Sequence, residues 1–322
     1  MCHQVFMQIP VAVFTYNRPG HTQKALEALS QCQGLDQCLI YLFSDAPREA
    51  EEAANVSETR GVLRQWAGKL GAKIVEQSEN LGLSKSIVNG VSSLCEAYGQ
   101  VIVLEDDLVV SPNFLTYMVT ALGQYQREEQ VMQISGCTLA SPSPLENDAF
   151  FLPVTTTWGW ATWQRAWQQF AWIPQNLDEA RTDTQWLDRF NLHDTYDYLQ
   201  MLDDRLAGRN DSWGILWWYA VSRRQGLVLY PKTNLVQNTG FDGSGIHCGE
   251  GSFFDETAPG IQRPGSLSQP ITWPGRIAYE PAHLARLEAF LTAPKSPSAK
   301  AQTSSRLLQF YKTALSRLTK MT

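Results

Sequence analysis

The chain has 322 residues, of which 43% are hydrophobic, 18% charged and 11% aromatic, with a formal net charge of −6 and a pI near 5.4. A sequence this apolar can bury a large core, which excludes disorder, collagen and coiled coil as descriptions of the whole. The acidic balance argues against a dedicated nucleic-acid binder, which needs a basic face, but leaves room for small anionic ligands held by local positive groups.

The length suits one large α/β domain or two closely packed halves. No run approaches the ~18 apolar residues that a membrane-spanning helix needs. Met1 to Phe6 lack the basic-then-apolar pattern of a signal peptide. The expectation is a cytoplasmic protein. The six cysteines are scattered with no Cys-x-x-Cys pair, so reduced thiols are expected with it.

In chain order, Val11 to Phe14 is a short apolar run that ends in the loop residues Thr15 to Gly20, and helical sequence follows from His21 to Cys32. Leu39 to Phe43 is a second buried strand, ending at Ser44 and Asp45. Glu49 to Leu70 is charged, Ala-rich and helical in spacing. Ala72 to Val75 is a third strand, Asn80 to Gly82 a turn, and Leu83 to Tyr98 a helix. Val101 to Leu104 is a fourth strand, running into Glu105-Asp106-Asp107, and Leu108 to Pro112 continue as strand. Strands written as continuous apolar runs and alternating with helices predict a mostly parallel sheet covered on both faces.

Ligands of such sheets sit beyond the carboxyl ends of the strands. Three of the four predicted strands end in residues that could serve there: Thr15, Asn17 and Arg18; Ser44 and Asp45; and the acid triplet. Three adjacent carboxylates repel one another, so a fold gains nothing by placing them after a buried strand unless something compensates. Mg²⁺ or Mn²⁺ does so, being a hard cation often held by one or two carboxylates plus substrate phosphates. The plainer alternative is helix N-terminal charge or solvated loop acid. Asp45 could accept a hydrogen bond from a nucleobase imide, or could make an Asx turn or helix cap before Pro47. Arg18 could pair a diphosphate through its fork, or stand on the surface.

The second half changes character. Nine of the eleven tryptophans fall between Trp158 and Trp218. Trp160, Trp163 and Trp167 have the spacing of one helical face and read as core. Trp158, Trp213 and Trp217 flank polar or Gly residues and are the better pocket candidates, since an aromatic face packs on sugar C–H surface. From Phe253 the chain turns Pro/Gly-rich and reads as an irregular arm that wraps the domain or leads away from it. From Ala289 onward it has no Asp or Glu but carries six Lys and Arg beside an apolar face of Leu308, Tyr311, Leu315 and Leu318. That tail could lie on anionic lipid as peripheral membrane contact, remain a flexible basic tail, or dock on the domain.

Thr15 to Pro19, Ser44-Asp45 and Val103 to Phe114 together resemble the nucleotide-sugar half of a GT-A glycosyltransferase. The likeness is to the group of N-acetylglucosaminyltransferase I and bacterial family 2 sugar transferases. It extends through Gly159 to Trp163, Asp211-Ser212-Trp213 and Asn238 to His247, covering roughly residues 9 to 250. The resemblance implies a GT-A, Rossmann-like α/β fold. Residues 1–150 would bind the nucleotide sugar, 151–252 would form the Trp-rich acceptor and catalytic half of the same domain, and 253–322 would be the arm and tail.

It also implies an inverting, Mn²⁺- or Mg²⁺-dependent transfer of a hexose or N-acetylhexosamine from a UDP-sugar donor to a glycan, lipid-linked or protein acceptor. Asp107 would ligate the metal, Asp106 would contact the donor's ribose or the metal shell, and Glu105 would contact sugar hydroxyls. Asp45 would read uracil, Arg18 would lie near the nucleotide, and Thr15, Asn17 and Trp158 would complete the donor site. Asp211 matches the segment that carries the family's base. Ser212 intervenes before the Trp, where the family places two acids directly ahead of it, so Asp203 and Asp204 stand next in line. His247 lies where a late metal ligand occurs, or is a hydrogen-bonded loop His. The rival functions are a sugar-1-phosphate nucleotidyltransferase, which carries a Gly-rich basic loop after strand one that this sequence lacks, and a non-catalytic carbohydrate-binding module. A nicotinamide enzyme would need Gly-x-Gly-x-x-Gly after that strand.

Overall fold

The computed structural model describes residues 8–140, 145–240 and 264–292. His247 and the tail face from Leu308 to Leu318 lie outside the described residues.

The strands are β1 (Ile9–Thr15), β2 (Cys38–Ser44), β3 (Lys73–Glu76), β4 (Gln100–Glu105), β5 (Leu108–Val110), β6 (Val131–Ser135), β7 (Ala149–Leu152), β8 (Trp160–Trp163), β9 (Leu227–Pro231) and β10 (Val236–Asn238). The helices are α1 (Pro19–Ser30), α2 (Ala53–Leu70), α3 (Leu83–Tyr98), α4 (Phe114–Gln124), α5 (Gln164–Trp167), α6 (Leu177–Thr182), α7 (Thr184–Phe190), α8 (Tyr198–Leu206), α9 (Trp213–Arg223) and α10 (Pro281–Thr292). Among the described residues, eight strands form one sheet in the order β3-β2-β1-β4-β8-β6-β9-β7, and β5 pairs with β10 in a separate ribbon.

The block β3-β2-β1-β4 is parallel throughout, and its register brings four strand ends level. Thr15 pairs with Ser44, Ser44 with Glu76, and Phe14 with Glu105. Every residue of β1 is buried, as a strand covered on both faces requires. β8 then runs antiparallel to both β4 and β6, and β9 is parallel to β6. Two apolar layers cover the sheet. One packs α1, α2 and α4 against residues such as Val11, Ile102 and Phe151; the other packs α3, α7 and α9 against Phe14, Val103 and Tyr230. Mixed α/β architecture around a large, mostly parallel sheet is the expected class.

One expectation is corrected. Trp160, Trp163 and Trp167 are core residues, but they do not share a helix: Trp160 and Trp163 bound strand β8, and Trp167 ends the short α5. A spacing of three and seven is met equally by a four-residue strand running straight into a helical turn. The arm from residue 264 is irregular in backbone and lies against the domain, the first of the two courses its sequence allowed. Leu267 is buried, and Asp148, wholly buried, accepts hydrogen bonds from Thr272 N and Oγ1 (both 2.9 Å) and from Ser268 Oγ (3.1 Å) while pairing with Lys232 at 2.5 Å. Burial opposes ionisation of Asp148, but these partners outweigh it and bring its pKa down to about 2. Beyond this anchor the chain forms α10, with Leu284 and Leu287 buried.

No helix among the described residues is long and apolar enough to cross a membrane. Cys32, Cys38, Cys95 and Cys137 are buried free thiols, each pushed up to about 12 by burial.

Candidate active site

A cleft of about 760 Å³ opens at the level strand ends. Thr15, Asn17, Arg18, Asp45, Glu105, Asp106, Asp107, Trp158 and Asp211 all line it, drawn from both sides of the sheet.

Arg18 ends up there because Pro19 starts α1 directly after it. Proline is preorganised for the first helical position. The Arg18 carbonyl accepts from Thr22 N and Thr22 Oγ1, both at 3.0 Å, which fixes the backbone and frees the side chain to cross to the neighbouring strand end. There Nη2 bonds Asp106 Oδ1 and stands 3.0 Å from Asp107 Oδ2. Burial works against the guanidinium's charge, and the two carboxylates more than offset it, raising its pKa.

Asp106 and Asp107 form the turn between β4 and β5. The Asp107 carbonyl accepts from Thr239 N (2.8 Å) and Thr239 Oγ1 (3.0 Å), which ties that turn to the end of β10. Gly240 follows, and a Cβ there would collide with Asp107 Oδ2, so glycine gives the carboxylate its room. Burial and the two following acids push Glu105 up to about 8. Burial likewise pushes Asp106 up to about 6, against the pull of Arg18. Asp106 Oδ2 is buried and has no hydrogen-bond partner among the described residues. An orphaned carboxylate oxygen is costly unless a ligand completes it.

The remaining strand-end residues have structural duties in the same cleft. Thr15 Oγ1 donates to the Phe43 carbonyl at 2.9 Å. Asn17 Nδ2 donates to Glu52 Oε1 at 3.1 Å, and Glu52 Oε2 bonds Tyr16 and accepts from Arg48 N at 3.1 Å. Asp45 is 7% exposed, and four donors of the chain occupy its carboxylate. Ala46 N and Leu81 N lie 2.9 Å from Oδ1, Gly82 N lies 2.9 Å from Oδ2, and Ser86 Oγ lies 3.4 Å from it. Asp45 therefore holds the start of α3, where Gly82 adopts φ 75°. A base imide could approach this carboxylate only in competition with those donors.

On the other side, Ser212 caps α9 by accepting from Ile215 N at 3.4 Å, and Asp211 precedes the cap, exposed at the cleft wall. Ser84 Oγ donates to the Asp211 carbonyl, tying α3 to this loop. The two neighbouring acids are engaged elsewhere: Asp203 pairs with Arg181, and Asp204 with Arg209 at 2.6 Å, and neither lines the cleft. Trp158 and Trp213 line the cleft, whereas Trp217 is fully buried and donates Nε1 to Gln133 Oε1 at 2.6 Å, so its pocket assignment is corrected to core. Sequence reasoning missed Tyr196, Tyr198 and the α10 residues Leu287 and Leu291, which line the far end of the cleft. Nothing local marks them, because α10 reaches the cleft only through the anchored arm.

Among the described residues no three His, Cys, Asp or Glu side chains gather as a metal cage. The donor set nonetheless fits a hard divalent cation that takes one or two carboxylates and completes its shell with substrate phosphates. The observation that supports this fit is the orphaned Asp106 Oδ2 beside Asp107.

No family model matches the chain, and no curated protein matches it in sequence. Among solved structures it is similar to S. aureus TarS 1–349 in complex with UDP-GlcNAc, at 14% identity and a TM-score of 0.31, over 40% of this chain and 33% of that one. It is also similar to the mannosyltransferase PcManGT from Pyrobaculum calidifontis in complex with GDP-Man and Mn²⁺. There the identity is 13% and the TM-score 0.39, over 68% of this chain and 73% of that one. The chain thus spans about a third of the TarS structure's length. At these identities and TM-scores the likeness carries no argument about activity. The chain is a mixed α/β protein, and the solved structures it is similar to include a mannosyltransferase.

Proposed function

We propose that the chain is a metal-dependent glycosyltransferase that moves a hexosyl or N-acetylhexosaminyl group from a UDP-sugar to an acceptor hydroxyl with inversion. The observation that carries this reading is the meeting, in one cleft, of Arg18, Asp106 and Asp107 from the parallel block with Asp211 from the start of α9.

Asp107 and Asp106 would hold the cation, with His247 a candidate from the residues outside the description. A bound divalent cation would supply Lewis-acid stabilisation of the charge on the departing diphosphate. Arg18 is close enough to those acids to turn its fork onto the diphosphate once they are engaged. Glu105 lines the cleft beside those acids and can hydrogen-bond a sugar hydroxyl. Trp158 offers a ring face to the sugar. Asp211 takes the proton of the acceptor hydroxyl as that oxygen bonds to the anomeric carbon and the bond to the diphosphate breaks opposite it. Asp211 stands immediately before the Ser212 cap of α9, which fixes its place at the cleft wall.

The test is a calorimetric titration of UDP with and without Mn²⁺, followed by a screen of nucleotide sugars for Mn²⁺-dependent hydrolysis. Metal-dependent UDP binding and turnover of one donor support the reading. Saccharide binding with no nucleotide binding would establish a carbohydrate-binding module instead.

A further inference from the structure

A second groove, of about 450 Å³, backs onto the cleft and shares Gly82, Ser84 and Asp211 with it. Its other walls bring together Lys85 and Asn89 of α3, Trp172 before α6, and Arg205 of α8. Lys85 and Asn89 are four apart on one helix and so stand on the same face.

Trp172 is 39% exposed, against 7% or less for Trp66, Trp160, Trp163, Trp167, Trp186, Trp213, Trp217 and Trp218. It is not a loose surface side chain: its ring packs edge-on to Phe170 at 5.4 Å, and Phe170 stacks on the buried Trp167 at 4.8 Å. Part of a packed indole is therefore left exposed in the groove that Asp211 also lines.

Arg205 places its guanidinium carbon 5.7 Å from the centre of that ring. Its neighbours Arg181 and Arg209 are paired to Asp203 and Asp204, but Arg205 makes no ion pair among the described residues. Its Nε is buried without a hydrogen-bond partner. Lys85 makes no ion pair among the described residues either. Two cations that make no ion pair among the described residues, one with an unsatisfied buried donor, share one groove of a chain with net charge −6 and suit an anion.

We infer that this groove is the acceptor subsite and that it binds a saccharide unit carrying a negative charge, as a carboxylate or a phosphate. The C–H face of the sugar lies on Trp172. Its anionic group bonds Arg205 and is attracted by Lys85, and Asn89 reads a hydroxyl. That places the reacting hydroxyl at Asp211, where the groove adjoins the cleft, within reach of the anomeric carbon of a donor bound there. The inference deepens the transferase reading and rests on Asp211 acting there as base.

The test uses the full chain and four probes: a glucuronate-containing tetrasaccharide, its carboxyl-reduced neutral counterpart, a phosphorylated tetrasaccharide, and UDP with Mn²⁺. Calorimetry on the parent should show one charged tetrasaccharide binding roughly tenfold more tightly than the neutral one, as a charge-assisted hydrogen bond would give. Which charged probe binds tells carboxylate from phosphate. Arg205→Met should remove that preference, Trp172→Ala should abolish binding of both forms, and both variants should bind UDP and Mn²⁺ as the parent does, which also shows them folded. Equal binding of charged and neutral probes, parent-like binding by both variants, or no binding of either charged probe overturns the inference. If the parent binds a charged saccharide but not UDP with Mn²⁺, the groove stands and the donor assignment falls.

Discussion

Arg18 and Asp107 meet across 89 residues of sequence: Nη2 of the arginine stands 3.0 Å from Oδ2 of the aspartate, and the same nitrogen bonds Asp106. One guanidinium thus stands in for a cation at the mouth of the cleft. Breaking a buried ion pair by removing one partner costs about 3–5 kcal/mol, because the remaining charge is left uncompensated. The side chains of Arg18 and Asp107 are 19% and 13% exposed, so the lower end applies. Arg18→Met should therefore melt several degrees below the parent in EDTA, and Mn²⁺ should recover more of the loss than it adds to the parent. Thermal denaturation with and without metal checks this; equal melting of variant and parent in EDTA would show the pairing to be idle.

Asp107→Ala should abolish Mn²⁺-dependent UDP binding while leaving the fold intact, because the residue lies in a turn past the strand end. Gly240→Ala offers a subtler probe. The added methyl must push Asp107 Oδ2 aside, so metal-dependent UDP affinity should fall while metal-free binding does not. Isothermal titration of both variants decides, and parent-like metal dependence in Asp107→Ala would remove that residue from the ligand set.

Asp211→Asn keeps the size of the side chain but cannot accept a proton. Loss of a general base costs roughly 10²–10⁴ in rate, so transfer should fall by that order with UDP affinity little changed. Rate measurement at saturating donor tests it. Near-normal transfer would assign the role to another group. Neither Asp203 nor Asp204 is placed to take it over, since neither lines the cleft.

His193 Nδ1 lies 2.6 Å from Glu288 Oε1 and pins α10 to the loop after α7. The hydrogen bond to Glu288 raises the histidine's pKa above its ordinary value. A raised histidine adds stability that is fully present below the unfolded-state value near 6.5 and is lost as pH climbs through the higher folded value. The melting temperature of His193→Gln should therefore lie furthest below the parent's under mildly acidic conditions, and the gap should close as pH rises past neutrality. A gap that widens with pH would show that the contact does not depend on the charged imidazole.

The parallel block was legible because β1, β2 and β4 are continuous apolar runs that stop at Thr15, Ser44 and Glu105, and burial on both faces leaves few other ways to write such strands. The residues that meet in the cleft could be named for the same reason. What those side chains bond to was not legible. Asp45 is held by the amides of Leu81 and Gly82, some 36 residues on, and Asn17 by Glu52, because the partners come from level strand ends rather than from neighbouring sequence. Trp160 and Trp163 were misread as helical because a strand joined directly to a helical turn reproduces the spacing of one helix face. Trp172 and Arg205 were passed over altogether. Each looks ordinary alone, and only the fold brings the segment before α6 and helix α8 to one groove beside α3.

Strand β8 joins the block that ends in acids to the block that α9 leads into, through backbone hydrogen bonds on both of its edges. The two walls of the cleft are consequently parts of one sheet, not two bodies on a hinge. Opening them like jaws would mean tearing that four-residue seam, with Trp160 and Trp163 pulled from the core. Substrate capture has to proceed by rearranging loops and side chains at the rim, and solution scattering should give the same radius of gyration with the cleft filled as with it empty.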